Sequence, residues 1–251
     1  MMGGHHAITG AAVWLAMTAP ATVVPTLGVL DVSPGVAALG AVLAAGAALG
    51  PDLNHPQATA AHSAGALSKI GTGLVGAASG GHRHGTHAPL VAAAVVGAAL
   101  WLADGGWIEP ARFTPSWWAC AAVICGSMAF ALRVLRLIRR WPAAWIIGAG
   151  TAAAVCLSWP GFLVHLPAVV AVGWCTHLAG DILTTGGLPL AWPFRISGPA
   201  FVPDAIWKKN GYLALPVLGN AGSKREWVLC SAVSVYVLLA LWASIDALLP
   251  Q

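Results

Sequence analysis

Apolar residues run almost unbroken through seven stretches of the chain, at about Ala7 to Val24, Gly35 to Leu49, Pro89 to Ala103, Trp117 to Ile138, Ala143 to Trp159, Leu163 to Leu183 and Trp227 to Leu249. A bilayer-spanning helix needs roughly 20 mostly apolar residues, and no backbone polar group can be left unpaired in lipid. The pattern therefore predicts an all-α fold, a polytopic membrane helix bundle of about seven spans, forming a single integral-membrane domain over residues 1–251. The stretches at Gly35 and Pro89 are short and rich in glycine and alanine, which favours close helix contact. Two connections exceed what a turn needs, Pro51 to Thr86 and Thr184 to Glu226, and long connections in compact domains usually carry function.

Composition agrees: 58% of residues are hydrophobic and 8% charged, with a mean hydropathy of +0.78. A soluble domain carries about a quarter charged residues. Charge adds an orientation. Arg133 and Arg136 close the fourth stretch and Arg139 and Arg140 follow it, and positive residues accumulate on the cytoplasmic side. Threading from that anchor gives a cytoplasmic N-terminus and two long cytoplasmic loops. It also places Lys69, Arg83, Arg195, Lys208, Lys209, Lys224 and Arg225 in the cytoplasm and leaves Arg112 outside. The N-terminus has neither a basic leader region nor an A-x-A site, so the first stretch is expected to be retained as a span. The loop after Thr184 mixes Trp192, Phe194, Phe201, Trp207 and Tyr212 with Arg195, Lys208 and Lys209, a composition suited to the headgroup region. The five cysteines lie in apolar runs without metal-ligand spacing and read as packing residues.

Four polar clusters interrupt this background. His5 and His6 open the first stretch; Asp52 and His55 lie in the turn Gly50-Pro51-Asp52-Leu53-Asn54-His55-Pro56; His82, His84 and His87 precede the third stretch; His177 and Asp181 sit near the end of the sixth. A spacing of four puts His177 and Asp181 about 40° apart on one helical face, and ionisable side chains in a span are costly unless they pair or line a cavity. In the threaded topology all four clusters reach the cytoplasmic end, and only His165 falls on the other side. The set His6, Asp52, His55, His82, His87, His177 and Asp181 offers imidazole and carboxylate ligands suited to zinc, manganese or iron. Seven ligands are generous for one tetrahedral ion and suit two ions sharing a water. No glutamate is expected near any cluster.

At these motifs the chain resembles the YdjM-like family of LexA-regulated, membrane-bound, predicted metal-dependent hydrolases of the bacterial inner membrane. The matching stretches are His6-Ala7-Ile8-Thr9-Gly10, Gly50 to Pro56, His82-Arg83-His84-Gly85-Thr86-His87-Ala88, and His177 to Asp181 leading into Gly187-Leu188-Pro189-Leu190-Ala191-Trp192-Pro193-Phe194. The resemblance implies metal-site roles for His6, Asp52, His55, His82, His87, His177 and Asp181. Two positions depart from the family pattern: Asn54 stands where a second aspartate is usual, and Ala88 where serine is usual.

The expected activity is hydrolysis of a phosphoester in a lipid or amphipathic substrate by metal-activated water at the cytoplasmic face of the bacterial plasma membrane. One or two divalent ions, zinc first, would serve as cofactor. Asp52 and Asp181 are the candidate bridging or proton-accepting carboxylates, and Arg83 the candidate phosphate clamp. The expected partners are the bilayer and the substrate, with no nucleic acid. A divalent-cation transporter and a non-catalytic, metal-stabilised membrane protein are the alternatives.

Overall fold

The computed structural model describes residues 1–19, 24–81, 83–104 and 112–249, with backbone alone for 101–104. Among these it contains eight α-helices: α1 (Gly3–Thr18), α2 (Pro34–Ala47), α3 (Ala66–Ser79), α4 (Pro89–Asp104), α5 (Pro115–Val134), α6 (Trp141–Ser158), α7 (Leu166–Ile182) and α8 (Lys224–Asp246). Their starts follow from local sequence. Ser33, Thr114 and Ser223 accept hydrogen bonds from Val36, Trp117 and Glu226 nitrogens, and proline follows the cap in α2 and α5, satisfying free N–H groups at the first turn.

Among the described residues, five helical segments are long and apolar enough to cross a membrane: Pro34–Asn54, Pro115–Val134, Trp141–Ser158, Pro160–Ile182 and Lys224–Asp246. α1 and α4 have 16 residues each, about 24 Å at the α-helical rise, short of a bilayer core of about 30 Å. The expected first span, Ala7 to Val24, is therefore shifted. Helix α1 begins earlier and ends at Thr18, because Ala19 precedes Pro20 and takes an extended conformation. The first long connection is also more structured than expected, since it contains α3. That helix leaves Leu67, Ile70 and Leu74 exposed beside Lys69.

Helices α1 and α2 form the centre, packed on each other, on α7 and on α8, while α5 and α6 pair as a hairpin against α2. Trp14, Leu15, Leu43, Ile124, Phe162 and Val169 are fully buried there, and the Trp14 indole donates to the Ala37 carbonyl over 3.0 Å. Small residues allow the approach: a methyl at Gly173 would lie 2.7 Å from the Ala44 carbonyl oxygen. The outer faces carry exposed Ile146, Val228, Leu238 and Trp242, which is what contact with lipid in place of water requires. After α7 the chain folds back as a two-strand ladder, β1 (Leu188–Pro189) antiparallel to β2 (Tyr212–Leu213), over the same end of the bundle.

Candidate metal centre

Four segments meet at one end of the bundle: the first turn of α1, the 3-10 turn Pro51–Asn54 after α2, the 3-10 turn Gly85–His87 before α4, and the last turn of α7. From them come His6, Asp52, His87, and His177 with Asp181. His6, His87, His177 and Asp181 are each 1% exposed or less, whereas the Asp52 side chain keeps 23% of its surface. Two overlapping groups have ligand atoms within 4.8 Å of one another, His6–His177–Asp181 and Asp52–His87–His177.

Hydrogen bonding decides which nitrogens can ligate. His177 Nδ1 lies 2.6 Å from the Ala48 carbonyl oxygen; a carbonyl only accepts, so Nδ1 donates and Nε2 carries the lone pair. The Thr86 hydroxyl donates to the Pro51 carbonyl at 2.7 Å, which leaves its oxygen to accept from His87 Nδ1 at 3.3 Å. His87 Nε2 is then also a lone-pair nitrogen. The two Nε2 atoms face each other across 3.2 Å. In this tautomer the two nitrogens can share a cation, and two nitrogens bound to a tetrahedral zinc would stand roughly 3.3 Å apart.

The carboxylates complete the arrangement. Asp52 Oδ1 lies 3.4 Å from His87 Nε2 and 3.8 Å from His177 Nε2, and Asp181 Oδ2 lies 3.7 Å from both. Asp181 Oδ1 points the other way, to the Met1 amino nitrogen at 2.5 Å, Arg83 Nη2 at 3.2 Å and His6 Nε2 at 3.3 Å. One oxygen is thus held by cationic and imidazole groups while the other faces the two histidines. His6 stacks flat on His177, with ring centroids 3.6 Å apart and planes 12° off parallel, and its buried Nδ1 has no hydrogen-bond partner. The donor set is nitrogen and oxygen throughout, which fits a borderline divalent ion.

Arg83 reaches this group from a strained backbone, at φ +56° in the left-handed region that non-glycine residues seldom occupy. Tyr212 on β2 holds it there, its hydroxyl donating to the Arg83 carbonyl at 2.8 Å. Burial pushes the Tyr212 phenol up, so it stays protonated as a donor. Gly186 leaves the room: a methyl there would sit 1.5 Å from Arg83 Nη1. A cavity of about 240 Å³ opens beside the group, lined by Asp52, His55, Arg83, Asp181, Met1 and Gly3 among others.

The chain matches the YdjM inner membrane protein family over residues 1–247. It belongs to that family. No curated protein and no solved structure matches the chain. This family member is accordingly a multi-pass membrane protein with a buried His/Asp cluster that can hold a metal ion.

Of the expected ligands, the structure brings together His6, Asp52, His87, His177 and Asp181. His55 joins neither group. Pro56 forces it out of the helical turn into an extended conformation, where its Nδ1 accepts from the Gln57 nitrogen at 3.0 Å and it lines the cavity. His82 lies outside the described residues. His84 is tied to Tyr212, with 3.1 Å between Nδ1 and the hydroxyl. Asn54 is 2% exposed and turned away from the ligands; its Nδ2 donates to Ser79 Oγ at 3.2 Å and to the Gly81 carbonyl at 2.8 Å, pinning the histidine loop to the turn.

The expectation that no glutamate lies near a cluster is overturned. Glu226, fully buried, lies 2.5 Å from His5 Nδ1 and accepts from the Met2 and Gly222 nitrogens at 2.8 Å each. Adjacent residues on a helix diverge by about 100°, so His5 faces α8 while His6 faces α7. The only local signal for Glu226 is Ser223-x-x-Glu226, which reads as an ordinary helix start.

Proposed function

We propose that this family member is a membrane-bound metal-dependent hydrolase that cleaves a phosphoester of a lipid or amphipathic substrate at the cytoplasmic face. The observation that carries the reading is that two carboxylates of the buried donor set, Asp52 and Asp181, form the wall of an open cavity together with Arg83. A structural ion is normally closed off by its ligands; here one side of the donor set is reachable.

A divalent ion held there supplies Lewis-acid polarisation of a phosphoryl oxygen and lowers the pKa of water. His87 and His177 present their Nε2 lone pairs, with Asp52 Oδ1 and Asp181 Oδ2 beside them. His177 belongs to both groups, but its Nδ1 is committed to Ala48. A single free nitrogen ligates one ion, which supports one ion in place of two. The mixed imidazole and carboxylate donor set suits zinc, with manganese and iron as the other candidates. Arg83, 20% exposed at its side chain, turns its guanidinium to the cavity and binds the substrate phosphate. Asp52, the most exposed of the ligands, accepts the proton from water. His55 lines the same cavity.

We take the chain to cross the membrane seven times with its N-terminus in the cytoplasm. The supporting observation is that Arg133 and Arg136 line a cavity with Gly3, Gly4 and His5, so the arginine-rich segment and the donor set share one end of the bundle, as the positive-inside rule requires.

The test uses the full chain purified in detergent with a C-terminal tag. Bound metal is quantified after loading with zinc or manganese, and phosphate release is followed on phosphomonoester and phosphodiester lipids. The expected result is about one ion per chain and turnover that is lost in His177→Ala together with the metal. Protein that stays metal-free after loading sinks the reading. Ion flux across proteoliposomes without hydrolysis would establish the transporter, and unchanged turnover with lowered thermal stability in His177→Ala would establish a structural ion.

A further inference from the structure

A second, larger cavity lies on the other side of the first turn of α1, with a volume of about 640 Å³, inside the range of about 300–1,000 Å³ typical of ligand sites. Gly3 and Thr59 line both cavities. Its floor is His5, its charged rim Arg133 and Arg136, and its remaining wall includes Trp227, Cys230 and Ser234 of α8. We propose that this cavity binds an anionic membrane lipid, with the headgroup phosphate on Arg133 and Arg136 and the upper acyl segment along α8.

Charge complementarity commits the site to an anion. No acidic residue lines the cavity. The nearby carboxylate, Glu226, is buried and spends both oxygens on His5 and on the Met2 and Gly222 nitrogens. Arg133 is preorganised: Nη1 donates to the Ile138 carbonyl at 3.2 Å and the guanidinium carbon stands 5.0 Å from the centre of the Trp141 ring. Arg136 holds a left-handed backbone at φ +59° and an exposed side chain. The end of a helix usually gives that conformation to glycine or asparagine, so the arginine sits at the rim despite local strain.

The apolar half of the wall makes the ligand an amphiphile. A free phosphate would leave Ile8, Trp227 and Cys230 facing water, and a zwitterionic lipid would bring its own cation beside the two guanidinium groups. Trp227 is 54% exposed, and the neighbouring face of α8 carries exposed Val228, Leu238 and Trp242, so the wall continues into the lipid-facing surface. Basic pockets between spanning helices are the usual form of headgroup recognition. The proposal goes beyond hydrolysis and holds whatever the metal centre does.

The experiment is native mass spectrometry of the detergent-purified full chain with phosphatidylglycerol or phosphatidylcholine added, with and without millimolar inorganic phosphate, and with bound metal measured in parallel. Retention of phosphatidylglycerol is expected to exceed that of phosphatidylcholine and to fall about tenfold in the double variant R133Q/R136Q. The control R139Q/R140Q, which removes the same charge outside the cavity, is expected to change it less than about twofold, with metal content constant in all. If R133Q/R136Q fails to fold, R136Q alone carries the test, with a fall of about threefold expected. Equal losses in the two double variants, equal retention of the two lipids, or full displacement by inorganic phosphate would each overturn the proposal.

Discussion

Thr86 offers a way to perturb the candidate centre without touching a ligand. Its hydroxyl donates to the Pro51 carbonyl at 2.7 Å and stands 3.3 Å from His87 Nδ1, so it orients the imidazole and sets which nitrogen carries the lone pair. Valine has nearly the same shape and lacks the hydroxyl. Thr86→Val should leave the Pro51 carbonyl short of a partner, costing about 1–3 kcal/mol of stability. It should also free His87 to rotate or change tautomer. Removal of such orienting partners typically weakens metal binding by about 10–100-fold, equivalent to about 1.4–2.7 kcal/mol. Thr86→Ser should retain most of the affinity. The assay is competition for zinc between the purified protein and a chromophoric chelator, with thermal unfolding followed in parallel. An affinity within about twofold of the parent in a folded Thr86→Val protein would refute the argument that Nδ1 is held as the donor and Nε2 left as the ligand.

Three further outcomes follow from the geometry. Asn54→Asp restores the residue type usual in the family pattern, yet a carboxylate cannot donate to Ser79 Oγ and the Gly81 carbonyl as Asn54 does; thermal unfolding should show a loss of about 1–3 kcal/mol with no gain in chelator-measured zinc affinity. Gly186→Ala places a methyl 1.5 Å from Arg83 Nη1, and since a guanidinium tip can swing aside, the protein should fold and keep its metal while turnover on phosphorylated lipid falls about tenfold or more. Glu226→Gln weakens the charge-assisted bonds to His5, Met2 and Gly222, worth about 1.5–3 kcal/mol each at most; a lowered unfolding temperature with unchanged zinc affinity is expected, and a lost ion would show that the two histidine faces are coupled.

The parts of the centre legible in the sequence are those whose signal is local. His177 and Asp181 stand out because two ionisable groups one helical turn apart interrupt an apolar run, and His6, Asp52 and His87 because each sits at a helix boundary marked by proline, glycine or threonine. Geometry beyond a turn is not written that way. His55 looks equivalent to Asp52 in sequence, and only the restriction imposed by Pro56 sends it to the cavity rim. The bond between His5 and Glu226 spans the length of the chain, and nothing near either residue announces the other. Helix α3 escapes a search for apolar runs because Leu67, Ile70 and Leu74 recur at helical spacing between glycine and polar residues, and because these side chains are left exposed rather than buried in a core. The apolar stretches were visible throughout, whereas the length of α1 was set by a proline that the hydropathy pattern passes over.

The order in which the donors occur has a consequence for biosynthesis. His6, Asp52 and His87 all precede α4, while His177, the residue common to both ligand groups, arrives only with α7. Between them lies the α5–α6 hairpin, which contributes no donor to either group. A nascent chain that has inserted its first helices therefore presents only part of the donor set, which is completed when α7 docks against α1 and α2. On the proposed reading, metal acquisition would fall late in membrane insertion, and a chain stalled before α7 would lack the residue that both ligand groups share.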